Sequence, residues 1–116
     1  MALDDIPAVQ IDESGGHKYI VAEVTDKATG LSKLVVRANA GCGYHSEIFE
    51  LLKQELRQDP QLSVSCIGGG YIRIDPSVKT INIYASSGSY GRERDRSVTE
   101  QMLRGAHPSF RVAATR

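Results

Sequence analysis

Residues 62 to 74 read LSVSCIGGGYIRI, and this stretch decides the fold that the sequence predicts. Leu62, Val64 and Cys66 alternate with serines, which is typical of a half-buried strand. A second strand is predicted at 71–74, after three consecutive glycines. We interpret these glycines as a β-bulge or a tight bend, because no GK[ST] or GxGxxG phosphate motif follows a strand here.

A helical pattern precedes this stretch. Ile48, Leu51, Leu52 and Leu56 repeat at the spacing of one helical face, which predicts a helix from His45 to about Arg57. A glycine-rich break comes before this helix, and an Asp-Pro pair ends it.

Further elements are predicted on both sides. Short strands are predicted at 9–11, 17–24, 31–38, 80–85 and 110–112. Ser97 and Glu100 match a capping box, so a second helix should begin at Ser97 and end near Pro108. Two helices among about six strands predict an α/β (α+β) domain with a single mixed or mostly antiparallel β-sheet.

The composition is that of one compact soluble domain, residues 1–116, since 41% of the chain is hydrophobic and 24% charged. The formal net charge of zero argues against a partner that is a nucleic acid or an anionic membrane. The sequence has no apolar run of about 20 residues, and its first residues lack a signal-peptide pattern. We therefore expect a cytoplasmic monomer that binds neither nucleic acid nor membrane.

Positive charge is concentrated in the second half of the chain. Residues 61–116 carry eight basic and four acidic side chains, whereas residues 1–60 carry six basic and ten acidic ones. Arg92, Arg94 and Arg96 alternate with acidic residues, and we interpret this run as a solvated approach to the second helix. The alternative is an outer rim that attracts a phosphorylated partner.

Metal and cysteine chemistry have weak support in the sequence. The histidines His17, His45 and His107 share no ligand spacing, so we expect no metal and no cofactor. Cys42 lies three residues before His45, which leaves a Cys-His nucleophile pair open, whereas Cys66 fits a core position.

Two segments could bind an anion. Tyr44 and His45 fall at the start of the first predicted helix, where backbone amides attract phosphate oxygens and the helix dipole favours a neutral imidazole. The loop 86–91 contains serines and glycines whose amides could converge on an anion, although an ordinary loop has the same composition.

A set of motifs distributed along the chain carries a family resemblance. In order they are Lys18-Tyr19, Arg37, Tyr44-His45-Ser46-Glu47-Ile48, Cys66-Ile67-Gly68-Gly69-Gly70, Ile81-Asn82-Ile83-Tyr84 and Ser87-Gly88-Ser89-Tyr90-Gly91. Together they resemble the protein histidine phosphatase family, which includes the small phosphohistidine phosphatase of animals and the Janus and Ocnus proteins. The similarity extends from about Ile11 to Val112.

The resemblance implies one mixed sheet with a helix packed on each face, and it implies a single site. His45 would be the proton acceptor, Lys18 would bind the substrate phosphate, and Arg37 would lie beside them. The expected substrate-binding residues are Lys18, Arg37, Tyr44, Ser46, Arg73, Ser87, Gly88 and Ser89. Two departures stand out: Tyr71 occupies a position where many relatives carry arginine, with Arg73 as its possible substitute, and Gly88 replaces a larger residue.

The predicted function is that of a metal-independent phosphatase that hydrolyses the P–N bond of phosphohistidine, and of phospholysine, in proteins or peptides. His45 would act as proton acceptor or as nucleophile. The alternative is a Janus-like, non-catalytic regulator that binds phosphorylated partners, and Tyr71 in place of arginine keeps it open. A nucleic-acid binder that uses the arginine run has less support, because the net charge is zero.

Overall fold

The structure is a computed structural model that describes residues 3–115; residues 1, 2 and 116 of the predicted domain lie outside this range. The strands are β1 (Val9–Gln10), β2 (Gly15–Asp26), β3 (Ser32–Ala38), β4 (Leu62–Asp75), β5 (Thr80–Tyr84) and β6 (Arg111–Ala114). The helices are α1 (His45–Leu56) and α2 (Arg96–Ala106), with a short 3-10 helix at Leu3–Asp5. No helix within residues 3–115 is long and apolar enough to cross a membrane.

All six strands belong to one sheet with the order β1-β3-β2-β4-β5-β6. The three central pairings are antiparallel, and the two outer pairings, of β1 with β3 and of β5 with β6, are parallel. This confirms the predicted mixed sheet. The edge strands are also the shortest, with two residues in β1 and four in β6.

One helix packs on each face of the sheet, as the resemblance implied. Ile48, Leu52 and Leu56 of α1 are buried in a cluster with Ile20 and its neighbours on one face. Leu103 of α2 lies in the separate cluster on the other face. The predicted apolar stripe of α1 was wrong at Leu51, which is 46% exposed because it lies at the margin of the contact.

The glycine stretch does not separate two strands. β4 runs without interruption through the glycines, which corrects the prediction of separate strands at 62–66 and 71–74. The predicted bulge is confirmed: Val21 pairs with Gly68 and Ala22 with Cys66, so Ile67 is the extra residue. The strand can continue because the missing side chains leave room for close backbone contacts on both sides.

The start of α2 differs from the predicted capping box. The helix begins at Arg96, and the N-cap is Asp95, whose carboxylate accepts a hydrogen bond from the Ser97 amide. The Ser97 hydroxyl donates to the same carboxylate instead of capping the helix. An aspartate can cap as well as a serine, and here it comes two residues earlier in the chain.

Candidate active site

His45 is the first residue of α1, and its side chain is only 6% exposed. Its Nε2 lies 2.8 Å from the carbonyl oxygen of Gly70. Because a carbonyl can only accept, Nε2 carries the proton, and a neutral ring then has its lone pair on Nδ1. No group among residues 3–115 forms a hydrogen bond with Nδ1. The β4 backbone therefore fixes the orientation of the ring, with Nδ1 free of hydrogen-bond partners among residues 3–115.

The residue before His45 is exposed at the amino end of α1. Tyr44 is the N-cap residue, with extended backbone and a 70% exposed side chain. The Glu47 carboxylate accepts hydrogen bonds from the amides of Gly43 and Tyr44, at 2.8 and 2.9 Å. The Glu47 amide donates to the Tyr44 carbonyl at 3.1 Å, whereas the amides of His45 and Ser46 form no hydrogen bond among residues 3–115 and lie at the positive end of the helix dipole.

Lys18 reaches this helix end from β2. Its ammonium donates a hydrogen bond to the carbonyl of Gly43, directly before the N-cap. The Lys18 Nζ also lies 5.3 Å from the centre of the Tyr44 ring and 5.9 Å from that of Tyr71. The fold thus brings a lysine and a histidine that are 27 positions apart in sequence to the same helix end.

A row of side chains crosses the sheet next to His45. Lys18, Tyr71 and Tyr84 are in register on three adjacent strands, so their side chains emerge on the face that α1 covers. The Tyr71 and Tyr84 rings stack with centres 5.9 Å apart, and we call this pair the tyrosine platform. Tyr71 also meets His45 edge to face, at 5.9 Å. Arg73 emerges on the same face, two residues beyond Tyr71, and is exposed.

The predicted anion loop lies against the same region. The carbonyl of Gly91 accepts from the amide of Gly69, and the Tyr90 ring packs edge to face against Phe49 of α1. Ser87 is buried, and its hydroxyl oxygen accepts from the amides of Ser89 and Tyr90. These two amides therefore stabilise the loop itself. Gly88 and Ser89 are exposed.

Two predicted binding residues have other partners or positions. Arg37 is buried, its guanidinium lies 3.5 Å from the Glu55 carboxylate of α1, and it donates to the carbonyl of Val36. Ser46 lines a shallow hollow of about 550 Å³ together with Asn39, Cys42 and Glu50. Among the residues that the structure describes, neither side chain forms a hydrogen bond or ion pair with Lys18 or His45.

The surroundings of Cys42 disfavour its thiolate form. Burial raises the pKa of the Cys42 thiol, and the nearby carboxylates of Glu47 and Asp12 raise it further. A thiol that resists ionisation is a poor nucleophile, so the Cys-His alternative loses support. Within the described part of the chain, no group of three or more His, Cys, Asp or Glu side chains could hold a metal ion.

A buried polar network was missed by the sequence analysis. Glu93 accepts hydrogen bonds from Tyr19 at 2.7 Å, from Thr99 at 2.8 Å and from Arg96 at 2.9 Å, and we call these four residues the Glu93 network. The interpretation of 92–96 as a solvated run was wrong at Glu93 and Arg96, which are 3% and 5% exposed. Both are buried because the chain returns here against the glycines of β4.

The Glu93 network supports the backbone that orients His45. Arg96 Nη2 donates to the carbonyl of Gly69 at 3.2 Å, and the next carbonyl, that of Gly70, is the one that accepts from His45. A Cβ atom on Gly70 would lie 2.8 Å from the Arg96 guanidinium. Glycine at this position therefore allows the arginine and the strand to meet.

The Glu93 network predicts a loss of stability in acid. Burial alone would raise the pKa of Glu93, but donors from Arg96, Tyr19 and Thr99 hold it below its usual value. A carboxylate with a lowered folded pKa stabilises the fold above its unfolded pKa, and this contribution is lost as the pH falls through the folded value. We expect the melting temperature of Glu93→Gln to lie well below that of the native chain near pH 7.

This expectation is checked by thermal unfolding between about pH 3 and pH 7. Removing one partner of a buried ion pair typically costs about 3 kcal/mol of stability. The difference in melting temperature between the native chain and Glu93→Gln should therefore be large near neutral pH and should become smaller in acid. Glu50→Gln is the matched control, because Glu50 forms an exposed pair with Lys53 that contributes little. A melting-temperature difference that stays constant across this pH range would contradict the lowered pKa of Glu93.

Comparisons with known proteins identify a family and several relatives. The family model of the Janus/Ocnus family matches residues 3–111. The sex-regulated protein janus-A of Drosophila pseudoobscura pseudoobscura is 35% identical over 114 residues, which cover 95% of this chain and 75% of that protein. For janus-A of Drosophila melanogaster the identity is 32% over 111 residues, with coverage of 96% and 80%.

A relative named for an activity is also similar. The 14 kDa phosphohistidine phosphatase of Sus scrofa is 30% identical over 115 residues, which cover 95% of this chain and 90% of that protein. The family match extends over nearly the whole chain, and the resemblance inferred from the sequence motifs is confirmed. The chain belongs to the Janus/Ocnus family.

Proposed function

We propose that the chain is a metal-independent phosphatase that hydrolyses the P–N bond of phosphohistidine, and of phospholysine, in cytoplasmic proteins or peptides. The observation that carries this proposal is the orientation of His45, whose Nε2 donates to the Gly70 carbonyl while its Nδ1 has no protein partner among residues 3–115. The similarity to a phosphohistidine phosphatase supports the same activity.

In the first form of the mechanism His45 acts as a general base. Nδ1 takes a proton from a water molecule whose oxygen attacks phosphorus in line with the P–N bond. As that bond breaks, the leaving nitrogen takes the electron pair and then a proton from solvent, and His45 returns its own proton to solvent. The products are the unphosphorylated side chain and inorganic phosphate, and the protein ends in its starting protonation state.

In the second form His45 acts as the nucleophile. Nδ1 attacks phosphorus, the P–N bond of the substrate breaks, and the leaving nitrogen takes a proton from solvent. Water then attacks the phosphoimidazole formed on His45, releases phosphate and restores the neutral ring. The two forms differ in whether phosphate becomes attached to the protein during a single turnover.

Charge stabilisation comes from groups around the helix end. The Lys18 ammonium and the first amides of α1 would face the equatorial phosphoryl oxygens, and electrostatic stabilisation of this kind carries most phosphoryl-transfer catalysis. Arg73 and the exposed residues Gly88 and Ser89 complete the proposed binding surface. Tyr44 would cover the phosphoryl group from the solvent side.

Phosphate release from a phosphohistidine peptide in excess EDTA tests the proposal against its alternative. A phosphatase releases phosphate over many turnovers with EDTA present. A Janus-like regulator binds the same peptide, which a fluorescence titration detects, and releases none. Binding without release would therefore replace the enzymatic proposal by the regulatory one, and loss of activity in EDTA would contradict metal independence.

Replacement of Lys18 is expected to weaken substrate binding. In Lys18→Met the ammonium that would face the phosphoryl oxygens is removed, while the alkyl chain that packs near Tyr44 and Tyr71 is largely kept. Hydrogen bonds to charged groups contribute about 1.5–3 kcal/mol, so KM should rise by about tenfold or more. Steady-state kinetics measure this, with the exposed Lys27→Met as the control. An unchanged KM would remove Lys18 from the site.

A further inference from the structure

The tyrosine platform lies beside His45, and the proposed reaction does not use it. Tyr71 and Tyr84 stack with their ring planes inclined by 24°, and Tyr84 is 36% exposed. The pair stands on the part of the sheet in front of the amino end of α1. Aromatic surface that remains open to water next to a reactive group is typical of a ligand-binding surface.

The platform contacts both His45 and Lys18, the two groups that would act on the phosphoryl group. The Tyr71 ring meets the His45 ring at 89° and 5.9 Å, and the Lys18 ammonium lies 5.9 Å from the Tyr71 centre. A phosphoryl group held between His45 and Lys18 therefore has the Tyr71 ring as an immediate neighbour. The leaving group of an in-line attack lies on the side of phosphorus away from His45, and the platform continues from Tyr71, beside His45, to Tyr84 on the next strand, where it can meet that group.

The chemistry of the leaving group decides what the platform can recognise. In phosphohistidine the phosphorus is bonded directly to a nitrogen of an aromatic ring. In phospholysine it is bonded to an amine on a flexible alkyl chain. Only the first presents a planar π-system at the distance of one bond, and aromatic rings gain specific stacking or edge-to-face contacts with other aromatic rings.

Resting on the proposed function, we propose that Tyr71 and Tyr84 bind the aromatic ring of the leaving group and thereby make the chain select phosphohistidine over phospholysine. The two tyrosines take part in no bond breaking, and they act as specificity-determining residues. They hold the imidazole while the P–N bond breaks, and release it once phosphate has been transferred.

The proposal is tested with two peptides of the same sequence that differ only in carrying phosphohistidine or phospholysine. An aromatic contact of ordinary strength corresponds to about a fivefold to tenfold change in binding. In Tyr71→Leu we expect the ratio of kcat/KM for the phosphohistidine peptide to kcat/KM for the phospholysine peptide to fall by about this factor, because any loss through the contacts of Tyr71 with His45 and Lys18 is common to both peptides. Tyr71→Phe is the matched control, because it keeps the ring and should retain the selectivity.

Other outcomes separate this proposal from the proposed function. Equal losses on both peptides, or no loss on either, would overturn ring recognition while the phosphatase activity stands. If the native chain hydrolyses neither peptide, the proposed function fails, and ring recognition is then tested by the binding of two phosphonates. Phenylphosphonate should then bind about fivefold more tightly than methylphosphonate to the native chain but not to Tyr71→Leu. Equal affinities for the native chain would overturn the proposal.

Discussion

His45→Gln is expected to abolish phosphohistidine hydrolysis while the fold is retained. The glutamine amide can still donate a hydrogen bond to the Gly70 carbonyl, as His45 Nε2 does, but it has no basic nitrogen in place of Nδ1. Both forms of the mechanism need that nitrogen. Loss of a general base alone costs about 100-fold to 10,000-fold in rate, so turnover should fall at least this far.

The measurement is phosphate release by the native chain and by His45→Gln, with circular dichroism to verify folding. His17→Ala is the matched control, because His17 lies on β2 and its ring donates a hydrogen bond to the Ser14 carbonyl. Native turnover in His45→Gln would remove His45 from the mechanism. Rapid acid quenching of a single turnover separates the two forms, since only the nucleophilic one leaves phosphate on His45.

Gly69→Ala is expected to destabilise the fold strongly. A Cβ atom at this position would lie 2.2 Å from the carbonyl oxygen of Tyr19 in the adjacent strand. That oxygen belongs to the backbone, so no side-chain rotation can relieve the contact, and the central pairing of β2 with β4 must open. We expect a loss of about 3 kcal/mol or more, at the upper end for overpacking.

Chemical denaturation of the native chain and of Gly69→Ala measures this loss. Gly105→Ala is the control in the opposite direction, because no atom lies within 4 Å of its added Cβ in α2. Alanine favours a helix by about 1 kcal/mol over glycine, so this variant should be slightly more stable than the native chain. Equal free energies of unfolding for Gly69→Ala and the native chain would contradict the prediction, because β2 and β4 would then have made room for the Cβ atom without a loss of stability.

Much of the fold could be predicted because local patterns determine it. The spacing of Ile48, Leu52 and Leu56 predicts α1 whatever surrounds it, since only one helical face is apolar. The same reasoning failed at the glycines of β4, where the pattern of side chains is interrupted although the strand continues. Backbone pairing with β2 carries the strand across this gap, and glycines leave no trace of that pairing in sequence.

The site was less accessible to sequence reasoning. Lys18 reaches the helix end at His45 through its hydrogen bond to the Gly43 carbonyl, which depends on the tertiary fold. Local sequence patterns do not encode this contact, so the family resemblance alone implied it. The burial of Glu93 and Arg96 could not be predicted from an alternating charge pattern, which is normally solvated. The glycine triplet was an available signal, because glycines inside a strand often mark a place where another segment of backbone approaches closely.

The short outer strands of the sheet bear on how the chain behaves at high concentration. Unpaired strand edges are templates on which other chains add laterally, and long flat edges promote fibril growth. The outer strands β1 and β6 offer only two and four residues, but β4 pairs with β5 only from Tyr71 to Asp75, so among the described strands its first half pairs with β2 alone. We therefore expect lateral association of folded chains at high concentration to begin along the first half of β4 rather than at β1 or β6.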